Sequence, residues 1–240
     1  MRLDIYITNS KMYETRNKSK TAILSGYIYV NNELINKPNY LVKDTDIVEK
    51  KQQEEYVSRG AYKLLKAIEE WHISFKNKVI LDIGASTGGF TDLCLKNGAK
   101  HVYAVDVGSN QLHYSLINNA RVMSLEHRHF NSLSNNMFKF KIDYVVADLS
   151  FISLTKLIDK LISLFSYKYK CVFLIKPQFE LSPNEIKNGK PIKNTLLKKA
   201  VEKIVMYAQQ NNFKVMGVVK SPIKGSKKEN TEFLIYMEHN

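Results

Sequence analysis

The sequence predicts an α/β fold: a Rossmann-like parallel sheet covered by helices on both faces, with a small α+β module ahead of it. Three observations carry this. Short runs that are almost wholly apolar, such as Val79–Ile83, Tyr144–Ala147 and Val172–Ile175, alternate with segments of helical period; that is the pattern of strands buried on both faces. A turn rich in glycine directly follows the first of these runs. The polar run Lys50-Lys-Gln-Gln-Glu-Glu55 breaks the composition and reads as a linker between a module over 1–55 and a larger domain over 56–240.

The module opens on a short apolar-periodic stretch, Leu3, Ile5 and Ile7. A helix is expected from about Thr15 to Leu24. Its apolar face is thin (Ala22, Ile23, Leu24), its polar face carries Arg16, Lys18 and Lys20, and Gly26 is placed to end it. Tyr27–Val30 and Glu33–Ile35 flank Asn31-Asn32. Two β-prone runs around residues that tolerate positive φ read as a hairpin.

In the larger part, Arg59–Trp71 reads as a helix with Leu64, Leu65, Ile68 and Trp71 on one side. Val79–Ile83 is a strand, and a helix through Phe90, Leu93, Cys94 and Leu95 follows the glycine turn. Strands are expected at Val102–Val105 and Tyr144–Ala147, a helix at Leu154–Phe165 and a strand at Val172–Ile175. A long helix from about Asn194 to Gln210 and strands at Val215–Val219 and Phe233–Met237 close the chain.

The 240 residues are 44% hydrophobic, enough for a core. Lysine and arginine number 36 against 23 acids, a net charge of +13, which points to a polyanionic partner, nucleic acid or an anionic membrane surface. The excess lies in the larger part: residues 1–57 hold nine basic and eight acidic side chains, residues 58–240 hold 27 and 15. No apolar run approaches the about 20 residues of a membrane-spanning helix, and the start, Met1-Arg-Leu-Asp-Ile-Tyr-Ile7, does not read as a signal peptide. Cys94 and Cys171 form no CxxC, and His127 and His129 lack metal-ligand spacing. Neither a disulfide framework nor a metal is therefore expected, and a cytoplasmic location is.

The sharpest local signal is Leu81-Asp-Ile-Gly-Ala-Ser-Thr-Gly-Gly-Phe-Thr91, where a strand ends, Gly84, Gly88 and Gly89 form the turn, and a helix begins. Such glycines let a backbone approach a ligand and turn a helix amino end towards it. The spacing is neither GxGxxG nor a Walker loop, and no lysine in the turn could hold phosphates. Asp106 ends the next strand, where an acid can accept hydrogen bonds from a ribose. An adenosine cofactor without a pyrophosphate grip is S-adenosylmethionine. Its expected contacts are Gly84, Ala85, Ser86, Thr87, Gly88, Gly89, Phe90, Asp106, Val107 and Asp148.

A second constellation is dispersed. Lys63 lies in the helix before the first strand, Asp148 and Lys176 end strands, and Glu232 precedes one. The carboxyl ends of parallel strands form the ligand crevice, so topology alone brings Asp148 and Lys176 there. A lysine between an apolar strand and Pro177 is partly desolvated, which disfavours its ammonium form, as a neighbouring lysine would too. Lys176 is therefore the candidate base for a hydroxyl proton.

These residues stand in six blocks: Val57-Ser-Arg-Gly-Ala-Tyr-Lys-Leu64, Asp82–Asp92, Asp106-Val-Gly with Gln111-Leu112, Asp148-Leu-Ser-Phe-Ile-Ser-Leu154, Lys176-Pro-Gln-Phe-Glu180 and Ser221-Pro-Ile-Lys-Gly225. In content and order the chain resembles the TlyA-type ribosomal-RNA methyltransferases, within the wider FtsJ-like group of 2′-O-methyltransferases. The resemblance implies a class I methyltransferase sheet, S-adenosylmethionine as methyl donor and ribose in ribosomal RNA or ribosomal subunits as the target, with cytidine as the nucleoside. It also implies a Lys-Asp-Lys-Glu catalytic tetrad, which maps onto Lys63, Asp148, Lys176 and Glu232. The segment Gly225–Glu232 is one residue longer than the family spacing and has Lys-Glu where Gly-Asn is usual, so Glu229 is the alternative fourth member. Through Arg2-Leu-Asp4, Arg16-x-Lys18-x-x-x-Ala22 and Gly26-x-x-x-Val30-Asn31 the module resembles the alpha-L RNA-binding unit of a small-subunit ribosomal protein.

Arg2, Arg16, Lys18 and Lys20 are the expected RNA contacts of the module. Lys187 to Lys228 holds eleven lysines and one acid, Glu202; the helical ones can be a solvated face, whereas Lys220, Lys224 and Lys227 adjoin the expected active-site edge and are placed for phosphate. Two other functions compete. A membrane-active, hemolysin-like protein would use the amphipathic Leu154–Phe165 helix, which core packing explains better. A non-catalytic ribosome-assembly factor would not need an intact glycine turn and both lysines.

Overall fold

The structure, a computed structural model, describes residues 1–24, 26–50, 55–186, 192–223 and 230–239. The chain packs as two compact units, Met1–Glu55 with His113–Asn118, and Tyr56–Leu112 with Asn119–Asn240.

The first unit contains α1 (Leu3–Asn9), α2 (Arg16–Leu24), β1 (Ile28–Val30), β2 (Glu33–Leu34) and β3 (Val48–Lys50). The opening stretch is helical: Leu3 and Ile7, one turn apart, are buried, and Ile5 between them is half-buried. Gly26, at φ +76, follows the end of α2. The Asn-Asn hairpin is present, with Val30 paired to Glu33 and φ of 51 and 66 at Asn31 and Asn32. Against the other side of β1 lies β3, pairing Tyr29 with Glu49. The sequence hides β3 because Val48-Glu-Lys50 runs into the polar stretch read as linker. Leu3, Ile7, Ala22, Ile23, Ile28, Val30 and Val42 form the core of this unit.

The second unit opens with α3 (Ala61–Trp71), β4 (Val79–Ile83), α4 (Gly89–Lys96) and β5 (His101–Val105). After α5 (Tyr114–Ile117), which belongs to the first unit, come β6 (Val122–Leu125), β7 (Tyr144–Ala147), α6 (Leu154–Leu164), β8 (Tyr169–Ile175) and α7 (Pro177–Glu180). The chain ends through α8 (Asn194–Gln210), β9 (Phe213–Lys220) and β10 (Phe233–His239). The sheet order is β6-β5-β4-β7-β8-β10-β9. Its first five strands are parallel, but β10 runs antiparallel to both β8 and β9. The expectation of a wholly parallel sheet is corrected here. Phe233 pairs with Lys220, so β10 starts at the end where β9 finishes, and a strand that returns from its neighbour's end must run the other way.

Every residue of β4 and β7 is buried, as strands covered on both faces require. Cys94 and Cys171 are buried free thiols that pack as small hydrophobes. On α6, Leu154, Leu157, Ile158, Leu161 and Leu164 are buried in the sheet's core, which leaves this helix no apolar face for lipid. Among the described residues, no helix is long and apolar enough to cross a membrane.

Candidate active site

The loop from β4 into α4 is shaped by its glycines. Gly84 has φ +83, and a Cβ there would lie 2.9 Å from the carbonyl oxygen of Asp148. A side chain on Gly89 would collide with Ser58 Oγ and the Ala61 nitrogen. Both glycines thus admit the protein's own backbone, a demand that sequence reading assigned to a ligand. Gly88, at φ +93, is the cap from which α4 starts and lines neither cleft described below. Beneath the loop, buried Asp82 accepts a 2.6 Å hydrogen bond from Thr91 Oγ1. Burial pushes the Asp82 carboxyl up to about 7, with the Thr91 bond working against it.

Two clefts meet along this loop, sharing Gly84, Ser86, Asp148 and Ser150. The first, of about 400 Å³, is also lined by Ala85, Thr87, Gly89 and Phe90. The second, of about 550 Å³, holds Asp106, Val107 and a largely apolar wall that includes Val105, Phe130 and Leu149. Asp106 accepts from the Ser86 and Gly108 nitrogens, each at 2.8 Å. Each carboxylate oxygen can accept a further bond, which suits a ribose diol. Glu126, accepting from the Asn110 and Gln111 nitrogens at 2.8 and 3.2 Å, fixes the loop beyond. Size, apolar wall and ribose acceptor together fit an adenosine moiety. Arg128 and His129 complete this cleft; adjacent and outside any helix or strand, they have no sequence period to find them by. No group of three or more His, Cys, Asp or Glu side chains that could hold a metal occurs among the described residues.

The dispersed polar residues converge in the first cleft. Lys63 Nζ lies 2.8 Å from Glu232 Oε2 and 3.2 Å from Asp148 Oδ2. Lys176 Nζ lies 2.7 Å from Asp148 Oδ1 and donates to Ser150 Oγ at 2.8 Å. Burial lowers the pKa of Lys63, but the two carboxylates outweigh it and hold the ammonium above its ordinary value. Lys176 has one carboxylate and one hydroxyl within reach. Glu232, which is buried, lies beside Lys63; Glu229 lies outside the described residues.

Two further lining residues that carried no functional expectation stand out. Exposed Arg59 lies in the first cleft. Phe151 is 84% exposed in the second, has φ 66 and contacts the Phe179 ring at 5.1 Å. A bulky side chain held outward in the left-handed region is strained, and it offers a face on which a base can stack. Their only signal was membership of the Val57–Leu64 and Asp148–Leu154 blocks.

Of the expected RNA contacts, Arg2 and Arg16 clasp buried Asp4 at 3.0 and 2.9 Å. Lys18 pairs with Glu14, and Lys20 is exposed. Lys220 is exposed at the end of β9, whereas Lys224 and Lys227 lie outside the described residues. On α8, exposed Lys198 and Lys199 face Glu202 and Glu185 as on a solvated helix face, whereas Lys203 reaches buried Glu180.

Comparison with known proteins decides the family. The FtsJ-like methyltransferase model matches residues 56–239 and the S4 domain model residues 1–48. The chain belongs to the FtsJ-like methyltransferases. It is 42% identical to Hemolysin A of Brachyspira hyodysenteriae, over 98% of this chain and 99% of that one. It is 34% identical to the 16S/23S rRNA (cytidine-2′-O)-methyltransferase TlyA of Mycobacterium tuberculosis, over 98% and 89%. A solved structure from Streptococcus thermophilus, described as a hemolysin, matches with a TM-score of 0.75 at 36% identity, covering 100% of this chain and 88% of that one. A solved structure from Listeria monocytogenes, described as an S-adenosylmethionine-dependent methyltransferase, shares the fold, with a TM-score of 0.55 at 13% identity over 76% of this chain and 100% of that one. The methyl donor of such an enzyme is S-adenosylmethionine, and the paired clefts fit it.

Proposed function

We propose that this protein methylates the ribose 2′-hydroxyl of a cytidine in ribosomal RNA, in the cytoplasm. The observation that carries this is the ion-pair chain Glu232–Lys63–Asp148–Lys176 in the first cleft, beside the cleft that holds Asp106. The name of the mycobacterial relative supports the substrate, and the module's match to the S4 domain supports an RNA partner.

Bound S-adenosylmethionine supplies an electrophilic methyl group, which needs no Lewis acid. The protein has to present the hydroxyl in line with that methyl and remove its proton. Asp106 would hold the ribose of the donor, and the Gly84–Phe90 loop, Gly88 apart, would line its path. Lys176 takes the hydroxyl proton at Nζ as the ribose oxygen becomes methylated. Asp148, 2.7 Å away, orients that amine. Lys63 sits between two carboxylates that keep it charged, so it positions the hydroxyl and is a poor base. Glu232 balances its charge. Arg59 grips phosphate at the cleft, while Arg2, Arg16, Lys18 and Lys20 engage RNA from the module.

The test is transfer of labelled methyl from S-adenosylmethionine to ribosomal RNA and to ribosomal subunits, with ribose methylation mapped in cells that have and lack the protein. Tight cofactor binding with no label in either RNA substrate, and an unchanged methylation map, would reject this function.

A further inference from the structure

Glu180 ends α7 and is buried at 4% exposure. Its Oε1 accepts from the Leu154 nitrogen at 2.8 Å and its Oε2 from Ser153 Oγ at 2.5 Å. Ser153 is the cap residue of α6, so the carboxylate sits at the amino end of an 11-residue helix, where free N–H groups and the helix dipole favour an anion. From a third side, Lys203 of α8 lies 3.7 Å from Oε2 and donates to the Glu180 carbonyl at 2.7 Å. A carboxylate buried this deeply is tolerated only with its lone pairs occupied, so the groups around it are held in one arrangement.

That arrangement links the two segments that carry the proposed base and its partner. The loop leaving β7 begins at Asp148 and reaches the α6 cap at Ser153; the segment leaving β8 begins at Lys176 and ends at Glu180. Strand pairing fixes their near ends, with Ala147 beside Phe173. Glu180 joins their far ends. Phe151 against Phe179 forms a second rung between the same segments. The Lys176–Asp148 and Lys176–Ser150 contacts lie inside this closed frame.

We propose that Glu180 is a positioning residue: by tying the loop of Asp148 to the segment of Lys176, it sets the geometry in which Lys176 removes the proton. A carboxylate is required because one group must accept from a backbone N–H and a hydroxyl together while attracting Lys203. The inference rests on the methyl-transfer reading above.

The test uses the full chain with Glu180→Ala, Glu180→Gln and Ser153→Ala, assayed below each variant's melting temperature. Displacing a reacting group by about 1 Å costs up to about a hundredfold in rate. We expect kcat to fall about thirtyfold for Glu180→Ala and about fivefold for Glu180→Gln and Ser153→Ala, with KM for RNA and affinity for S-adenosylmethionine within about threefold of the parent. The Lys176–Asp148 separation in the crystal structure of Glu180→Ala should exceed the ~3.5 Å reach of a hydrogen bond. A lower melting temperature with unchanged kcat would reduce Glu180 to a fold-stabilising residue and overturn the inference. If Glu180→Ala does not fold, Glu180→Gln and Ser153→Ala decide by the same readouts, with parent-like kcat in both counting against it. A parent that transfers no methyl would instead sink the functional reading, and the crystallographic separation would still decide on Glu180.

Discussion

Two aspartates in this protein are each clasped by two cations, and the clasps differ in which partner is hidden. In the first unit the side chain of Asp4 has no exposure while Arg2 and Arg16 are 41% and 56% exposed. In the cleft Asp148 is 22% exposed and both Lys63 and Lys176 only 11%. The first arrangement buries the anion and leaves guanidinium donors facing outward, where a phosphate can reach them. The second encloses the cations and directs their charge at a small volume, which suits bond-making better than attraction over distance. Residue type follows the same division. Arginine keeps its proton at any working pH, whereas lysine can release one.

The largest effect should come from making the cleft resemble the module. Lys176→Arg keeps the charge but cannot accept a proton. Methyl transfer to ribosomal RNA should drop at least about a hundredfold, the low end of a general-base contribution, while cofactor and RNA binding persist. Near-normal turnover would remove Lys176 as the base.

Next comes the scaffold beneath the cleft clasp. Gly84→Ala places a Cβ 2.9 Å from the Asp148 carbonyl at a φ of +83, so loop and aspartate must separate. Calorimetric affinity for S-adenosylmethionine should weaken more than about tenfold, or about 1.4 kcal/mol. Unchanged affinity would mean that the loop does not hold the cofactor.

The outward-facing clasp, and the exposed Lys20 on the same helix as Arg16, should respond more weakly and to salt. Arg16→Ala and Lys20→Ala should each weaken RNA binding and lower the salt slope of log K by about one, with cofactor affinity unchanged. An identical slope in both variants would give these side chains a purely structural task.

The smallest effects are on stability, and their signs differ. Hydrogen bonds from Arg2, then Arg16, hold Asp4 below its ordinary value of 3.8. Its contribution is present above about pH 4 and lost as pH falls through the lowered value. Buried Asp82 is raised to about 7, so the folded protein keeps a proton that the unfolded chain has released, and stability declines as pH rises from about 4 to about 7. In urea titrations across pH, Asp4→Asn should remove part of the loss on the acid side, and Asp82→Asn should flatten the decline towards pH 7. Parent-like pH profiles in both variants would contradict these assignments.

Sequence alone determined six of the seven strands of the large sheet, the glycine turn and the positions of Asp106, Asp148 and Lys176. Burial on both faces writes itself into short apolar runs, and helices between parallel strands put those strands' carboxyl ends on one edge. It did not determine β3, whose three residues run into polar sequence, nor β6, an edge strand with no fully buried residue, nor the outward Phe151, whose backbone strain has no periodic signature. Tertiary structure decided how the cleft is completed. Glu232 precedes its strand and would stand at the opposite edge of a parallel sheet. Because β10 inserts antiparallel between β8 and β9, with Phe233 beside Ile175, that residue arrives at the edge that carries Lys176. Lys63 reaches Asp148 from a helix 85 residues away in sequence. Near neighbours encode periodicity, but strand direction and helix docking are set by pairings between distant segments, and those pairings exist only once the chain has folded.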